Sequence, residues 1–304
     1  MKKLITFSLF LFLCGGSAMA QYDLSMSQYM HNRYAINKAF GGSREALSLF
    51  GSFRKKWAGI NGSPAGQYFS GHTPLKNEKV ALGLDLFNQQ YAVSQHTGFS
   101  LSYTYRIRTN DKTWLGFAVS GGGNFMSSDW SDVTTIDEND ASFAANESRF
   151  SPTVGFGVSI YSDKFFAGIS IPSFFVQNEF DSENINFDMG QIDYIATAGY
   201  AFPVAEKWIV QPSFMAQYDG LMAELYTDIN ATVVYNRLIW AGVSYRTTDE
   251  IVGLLGVQIN PQLRIAYSYD YSTGDIGSYN SGTHEISIQY DFSFKIKTPN
   301  PKFF

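Results

Sequence analysis

Residues 283–296 read THEISIQYDFSFKI, and their apolar and polar positions separate onto two faces. Ile286, Ile288, Tyr290, Phe292, Phe294 and Ile296 share one side, and Glu285, Ser287, Gln289, Asp291, Ser293 and Lys295 share the other. Side chains alternate across a strand, so the segment predicts a strand with one greasy and one wet face. It exceeds the ~5–6 residues usual in soluble sheets and is long enough to cross a bilayer when tilted. Membrane β-barrels are assembled from such strands.

Period-two segments recur through residues 46–296, about fourteen in all, an even number as single-chain bacterial barrels require. In 94–108, Phe99, Leu101, Tyr103, Tyr105 and Ile107 oppose Ser100, Ser102, Thr104, Arg106 and Arg108. In 223–235, Leu225, Ile229, Ala231 and Val233 oppose Glu224, Asp228, Asn230 and Thr232. Other strands are expected at 113–125, 150–161, 165–171 and 191–203, while 251–260 opens with a stretch apolar on both faces. If the first strand rises from the periplasm, the long connections 126–149, 172–190 and 272–283 fall outside the cell. Tight connections at 162–164, 236–237 and 260–261 then fall in the periplasm, which is the loop asymmetry of outer-membrane barrels. Short turns at 219–220 and 248–250 depart from that sorting. The expectation is an all-β fold: a single transmembrane antiparallel barrel of outer-membrane type, both termini periplasmic, with a short periplasmic tail at 297–304.

The start of the chain supplies a compartment. Lys2 and Lys3 precede an apolar run from Leu4 to Cys14, and Ala18-Met19-Ala20 has the small-x-small form that signal peptidase accepts. Residues 1–20 are therefore read as a signal peptide with cleavage after Ala20. A membrane anchor needs a longer run, and lipoprotein processing at Cys14 needs a small residue where Leu13 stands. Cys14 is the only cysteine, so the mature chain has neither disulfide nor thiol chemistry. Residues 21–45 do not alternate, and hold Tyr22, Tyr29, Met30, Tyr34, Ile36 and Phe40. Such a segment is too apolar to remain free in water and is expected as a plug across the lumen or a periplasmic segment.

Composition agrees with a barrel. Charged residues are 16% of the chain against ~25% in soluble domains. Aromatics are also 16%, with 26 Phe and 19 Tyr, and there are 27 glycines. Aromatic girdles, apolar lipid-facing positions and small lumen residues call for that mixture. No stretch after residue 20 approaches ~18 consecutive apolar residues, which excludes a helical membrane protein. Losing Lys2 and Lys3 takes the formal charge from −5 to −7, which argues against a nucleic-acid partner.

Catalytic and metal patterns are missing. His31, His72, His96 and His284 lack metal-ligand spacing. Asp129, Asp132, Asp137, Glu138, Asp140 and Glu147 make 126–149 acidic, without the spaced register of a calcium loop. There is no Gly-x-Ser-x-Gly elbow and no cysteine nucleophile. Glycines at 121–123, 155 and 157 sit inside strand patterns with no Lys-Ser/Thr after them, so they read as bending or close-packing positions. No cofactor is expected, and the chain is read as a transport or recognition protein rather than an enzyme.

The N-terminal third carries a further series: Ser27-Gln28-Tyr29-Met30-His31-Asn32, then Ile36-Asn37-Lys38-Ala39-Phe40-Gly41-Gly42-Ser43. Arg54-Lys55-Lys56-Trp57-Ala58-Gly59-Ile60-Asn61-Gly62-Ser63-Pro64 and Ser70-Gly71-His72-Thr73-Pro74 follow. With the His284-Glu285-Ile286 strand and the aromatic end of the tail, this series resembles the PorP/SprF family of Bacteroidota over the whole chain. Trp57 to Pro64 is its most specific piece. Lys38 stands where the family usually has proline, and Asn300-Pro301-Lys302-Phe303 replaces a more usual Ser-Pro-Arg-Tyr. The resemblance implies an outer-membrane barrel of type IX secretion and gliding motility, set in outer-membrane lipid. It implies two kinds of partner: a secreted adhesin or surface protein, and a periplasmic peptidoglycan-binding lipoprotein with other secretion-machine subunits. Matching positions make Gln28, Tyr29, Asn37, Arg54, Trp57 and Pro64 the candidate partner-binding residues. Read from the residues alone, Trp57 is equally an aromatic-belt residue, Arg54 an inward lumen charge, and 62–64 a loop-shaping turn. Two functional classes stay open. An accessory barrel should have a closed lumen, and a barrel transporting hydrophobic or small polar solutes should have an open one.

Overall fold

The computed structural model describes residues 26–76, 78–132, 145–175 and 191–292. The signal segment 1–20, residues 21–25 and the tail 297–304 lie outside the described residues, as does most of the acidic connection after residue 132. The strands are β1 (Leu47–Lys55), β2 (Ala65–Pro74), β3 (Val80–Tyr91), β4 (Ser94–Arg108), β5 (Trp114–Ser128), β6 (Glu147–Tyr161) and β7 (Phe165–Ile171). They continue as β8 (Tyr194–Tyr200), β9 (Phe202–Ala205), β10 (Trp208–Asp219), β11 (Glu224–Tyr235), β12 (Ile239–Arg246), β13 (Glu250–Gln258), β14 (Leu263–Ser272) and β15 (Thr283–Phe292).

All neighbours run antiparallel, and β1 pairs with β15 in a register running from Leu47↔Phe292 to Lys55↔His284. β10 pairs with β8 and β9 on one side and β11 on the other, which closes the ring. Closure removes the unpaired sheet edges that a bilayer cannot tolerate. Fifteen segments make a fourteen-stranded barrel, because β8 and β9 are two lengths of one wall strand.

The expected strand 191–203 is thus interrupted at Ala201. Its partner β10 carries Pro212, whose pairing lies between Ser213↔Gly199 and Val210↔Phe202. Proline has no N–H for the ladder, and Ala201 turns its own N–H to Lys164 O at 2.7 Å. The cause sits on another strand, beyond reach of a local reading. Strands β5 and β6 run further than expected, to Ser128 and from Glu147, each 15 residues long beside a seven-residue β7. The turn between β11 and β12 places Asn236 at φ 50° and Arg237 at φ 56°. Two consecutive left-handed residues match the twist of a two-residue hairpin.

Alternation sets the two faces. On β4, Leu101 and Tyr103 are exposed outward, while Ser102, Thr104 and Arg106 are buried toward the lumen. On β15, Ile286 and Ile288 face outward, and Glu285, Ser287 and Gln289 face inward. β13 is different: Ile251 and Leu255 face out, but Val252 and Leu254 are also apolar and buried inside. These two belong to a lumen cluster with Tyr29, Met30, Ile195 and Met215. The strand that failed to alternate is the one against which an interior segment packs.

Facing has an energetic consequence. Leu101→Arg, near the middle of β4, should lower stability by about 2–4 kcal/mol in refolding into lipid vesicles. Ser100→Arg, on the opposite face, should cost far less because Ser100 borders open space in the lumen. Equal losses would show the facing to be wrong.

Candidate functional site: an interior segment and an outward vestibule

The ring has an acid-rich end and a base-rich end. Arg246 closes β12 and Glu250 opens β13, at the end that also carries the β1–β2, β5–β6, β7–β8 and β14–β15 connections. The longer connections gather here, which marks the external end. Four inward carboxylates, Asp228, Glu250, Asp270 and Glu285, share two guanidinium groups there. Arg54 reaches Asp270 at 2.7 Å and Glu285 at 3.0 Å. Arg246 reaches Glu250 at 2.6 Å, Asp228 at 3.2 Å and Asp270 at 3.5 Å.

Ser27 sits at the hub of this cluster. Its hydroxyl accepts from Arg54 at 2.6 Å and from Arg246 at 3.2 Å, and donates to Asp270 at 2.7 Å. Its backbone N–H donates to Glu285 at 3.0 Å. One residue of the N-terminal segment therefore ties together β1, β12, β14 and β15. Desolvating so many charges is costly, and removing one partner leaves uncompensated buried charge.

From Ser27 the chain descends through the lumen. Gln28 accepts from Ser287 at 2.6 Å, and the Tyr29 hydroxyl meets Ser213 at 3.3 Å. One helical turn at Arg33–Ile36 and a 3-10 turn at Lys38–Phe40 follow. Asn37 joins them: its side-chain oxygen accepts from Ala39 N–H at 2.9 Å, capping the second turn. Its amide donates to Val158 O at 3.0 Å and Ile169 O at 3.2 Å. The approach is so close that a Cβ on Gly157 would collide with Asn37, and one on Gly83 with Tyr34. Those inward glycines clear space for the segment.

At the periplasmic end the contacts turn basic. Arg33 lies over the Phe40 and Phe166 rings at 4.9 and 4.7 Å. Arg106 donates to Glu78 O and to Gly42 O. Arg44 clasps Asp291 through two bonds of 2.6 and 3.2 Å, and the chain then enters β1. Residues 27–44 thus cross the lumen lengthwise, from the external cluster to the periplasmic rim. The described chain thus begins near the external end of the lumen, while residues 21–25, and with them the expected periplasmic N-terminus, lie outside the described residues. Hydrogen bonds spanning more than 200 residues set that direction, and no local pattern carries it.

Gln28, Tyr29, Asn37 and Arg54 all lie inside the barrel, each buried and held by intrachain partners, with Gln28 and Arg54 toward the external end and Asn37 against β6 and β7. Trp57 and Pro64 lie in the external β1–β2 connection. Trp57 takes a left-handed φ of 49°, its N–H donates to Thr283 Oγ1 at 3.2 Å, and Lys56 lies over its ring at 4.7 Å. Pro64 O accepts from Lys56 N–H at 2.8 Å. Ala58 and residues 281–282 exchange backbone bonds of 2.7 and 2.8 Å, strapping this connection to the β14–β15 connection. Sequence reading missed Ser27, Arg246, Asp270 and Asp85 as site residues. The signal available for the charged three was an ionisable group at an inward phase of a strand.

The four histidines serve separate contacts: His31 against Trp240, His72 accepting from Gly42 N–H, His96 against Phe87, and His284 with the Tyr267 hydroxyl. Among the described residues no group of three His, Cys, Asp or Glu is arranged to hold a metal ion.

The segment fills the lumen unevenly. Beside β3–β8 and β10 the external half holds a cavity of about 360 Å³, lined by Ile36, Phe87, Ile195 and Met215, among others. Its lining reaches the external connection at Pro172 and Ser173, and Lys38 and Asp85 lie in its floor.

A closed ring of long alternating strands, apolar outside and polar within, defines an outer-membrane β-barrel. The chain belongs to the family described as type IX secretion system membrane protein PorP/SprF, whose model matches residues 18–290. It resides in the outer membrane. No curated protein matches it. Among solved structures it is similar to the CymD monoaromatic hydrocarbon channel, at 13% identity and TM-score 0.50, covering 90% of this chain and 94% of that one. It is also similar to the Ralstonia pickettii toluene transporter TbuX, at 10% identity and TM-score 0.50, covering 87% and 93%. These likenesses show the shared barrel fold.

The ionic hub should govern seating of the segment. Arg54→Leu should destabilise the barrel by about 3–5 kcal/mol, since two buried carboxylates lose their partner. Ser27→Ala should cost about 1–3 kcal/mol. Both should raise steady ion currents in planar bilayers above those of the wild type; unchanged melting and currents would deny the cluster its anchoring role.

Proposed function

We propose that this barrel is a non-catalytic accessory component of type IX secretion and its gliding branch in a member of the Bacteroidota. It reaches the outer membrane after loss of the signal peptide 1–20. There it binds a secreted adhesin or surface protein on its external face and machine components, including a peptidoglycan-binding lipoprotein, on its periplasmic face. The observation that carries this reading is residues 27–44 crossing the lumen, tied at one end by Ser27 and at the other by Arg44. A lumen obstructed in this way suits attachment better than passage of solutes. The strapped surface of 56–64 against 281–283 offers a fixed external epitope, with Trp57 and Pro64 in it. In this reading Gln28, Tyr29, Asn37 and Arg54 support that epitope from beneath rather than touching the partner.

The barrel should act as a plugged one: deleting residues 26–44 should convert a non-conducting protein into a conducting pore. Cells lacking the protein should keep an intact envelope and lose one or a few surface proteins, measured by mass spectrometry of shaved cell surfaces. Shortening the acidic connection between β5 and β6 should reduce retention of that cargo without disturbing assembly. A deletion strain with normal surface proteins that fails on a particular nutrient would favour the alternative, a transport barrel for hydrophobic or small polar solutes.

A further inference from the structure

Two residues of the family series lie outside the interior network: Lys55 and His284. Their neighbours Arg54 and Glu285 are buried in the lumen. Strand alternation therefore turns Lys55 and His284 onto the outer wall, where each is half-exposed. Among the described strands they are the only Lys, Arg, His, Asp or Glu at an outward position. They also stand directly opposite each other, because the register of β1 and β15 pairs Lys55 with His284. A wall that otherwise carries no ionisable group of these kinds brings an ammonium and an imidazole to one spot.

That spot lies where the greasy wall meets the external connections. Toward the membrane the next outward residues are Phe53 and Ile286, 45% and 53% exposed. In the other direction β1 ends at Lys55 and β15 begins at Thr283. Trp57 follows two residues after Lys55, as the amphipathic ring expected at headgroup level. Lys55 Nζ donates to Ser63 O at 2.8 Å, which uses one of its three protons and holds the ammonium at the wall. The His284 ring packs against Tyr269 at 5.2 Å, and its Nδ1 meets the Tyr267 hydroxyl at 2.6 Å. A hydroxyl that donates to Nδ1 leaves the ring proton on Nε2, which has no partner among the described residues. Beneath the pair the wall dips at Gly51, where a Cβ would meet only Ile288, at 3.7 Å.

We infer that Lys55 and His284 form a binding site for the anionic phosphate of an outer-leaflet lipid, whose acyl chains lie on Phe53, Gly51 and Ile286. Charge complementarity selects the head, since two donors stand side by side with no carboxylate on the wall to answer them. The apolar dip beneath selects the tail. A soluble anion would use the donors and leave the dip empty, and a neutral lipid would cover the wall and leave the donors unmet. The site straddles β1 and β15, so a lipid held there clasps the seam at which the first and last strands close the ring. It needs only that the barrel stands in the outer membrane, and is independent of the accessory reading above.

The test is native mass spectrometry of the full barrel, released from maltoside micelles after incubation with monophosphorylated lipid A. The same lipid stripped of its phosphate, and inorganic phosphate, are the other probes. The barrel should retain the phosphorylated lipid, and the stripped lipid at least about tenfold less, the equivalent of one charge-assisted hydrogen bond. A protein carrying both Lys55→Gln and His284→Gln keeps a donor for Ser63 and an acceptor for Tyr267. It should melt like the wild type in detergent and retain the phosphorylated lipid no better than the stripped one, whereas Lys55→Arg should retain it as the wild type does. If the double variant does not fold, Lys55→Gln alone carries the same comparison. Equal retention of the two lipids, or undiminished retention by the folded variant, would overturn the site. Inorganic phosphate bound as tightly as the lipid would overturn the assignment to a lipid.

Discussion

A closed barrel of this width has a polar inner wall whose buried groups must find partners, and the rest of the structure follows from that requirement. Residues 27–44 meet part of it. Ser27 answers four strands at once, Asn37 answers two backbone carbonyls, and Arg44 answers Asp291. The apolar face of the same segment, Tyr29 and Met30, answers Val252 and Leu254. Because the polar and apolar demands come from different walls, the segment has one way to lie. A slip of one residue would put Met26 or Gln28 in place of Ser27 among the carboxylates and guanidinium groups.

How much of this was legible depended on whether the cause was local. β4 and β7 stand where alternation put them, at residues 94–108 and 165–171, because a pleated strand writes its own period into the chain. The break at Ala201 was hidden because Pro212 causes it from the neighbouring strand. The two-sided apolar stretch in β13 was visible and has its explanation in the interior segment, whose own apolar side chains also announced that it needed cover. Its direction, external rim to periplasm, was not legible. That direction rests on Ser27 meeting Glu285 and Asp270, and an inward carboxylate does not show in sequence which distant residue it will meet.

The residues that carry the family resemblance now have physical roles. Gln28, Tyr29 and Asn37 are the contacts by which the segment is threaded, and Arg54 is the cation that neutralises its external anchor. The stretch from Trp57 to Pro64 is the connection that covers this anchor. Motif residues of this kind need not touch a partner to matter to it. They hold the external surface in one shape, and a partner that recognises a fixed shape loses less conformational entropy on binding.

Lys38, the departure from the family's usual proline, is answered inside the barrel by Asp85. Proline at that position would present neither a charge nor a donor, leaving Asp85 as a lone carboxylate beneath an apolar cavity. A buried carboxylate without a cation carries a large desolvation penalty, so lysine and aspartate belong together. Their pairing uses one carboxylate oxygen, to which the Tyr68 hydroxyl also donates. Room is left beside the segment at both ends: about 360 Å³ in the external half, and about 280 Å³ at the periplasmic end between Ser43, Arg108 and Trp114. Lysine therefore gives the segment a tie to β3 that proline could not supply, beside the ties that Asn37 makes to β6 and β7.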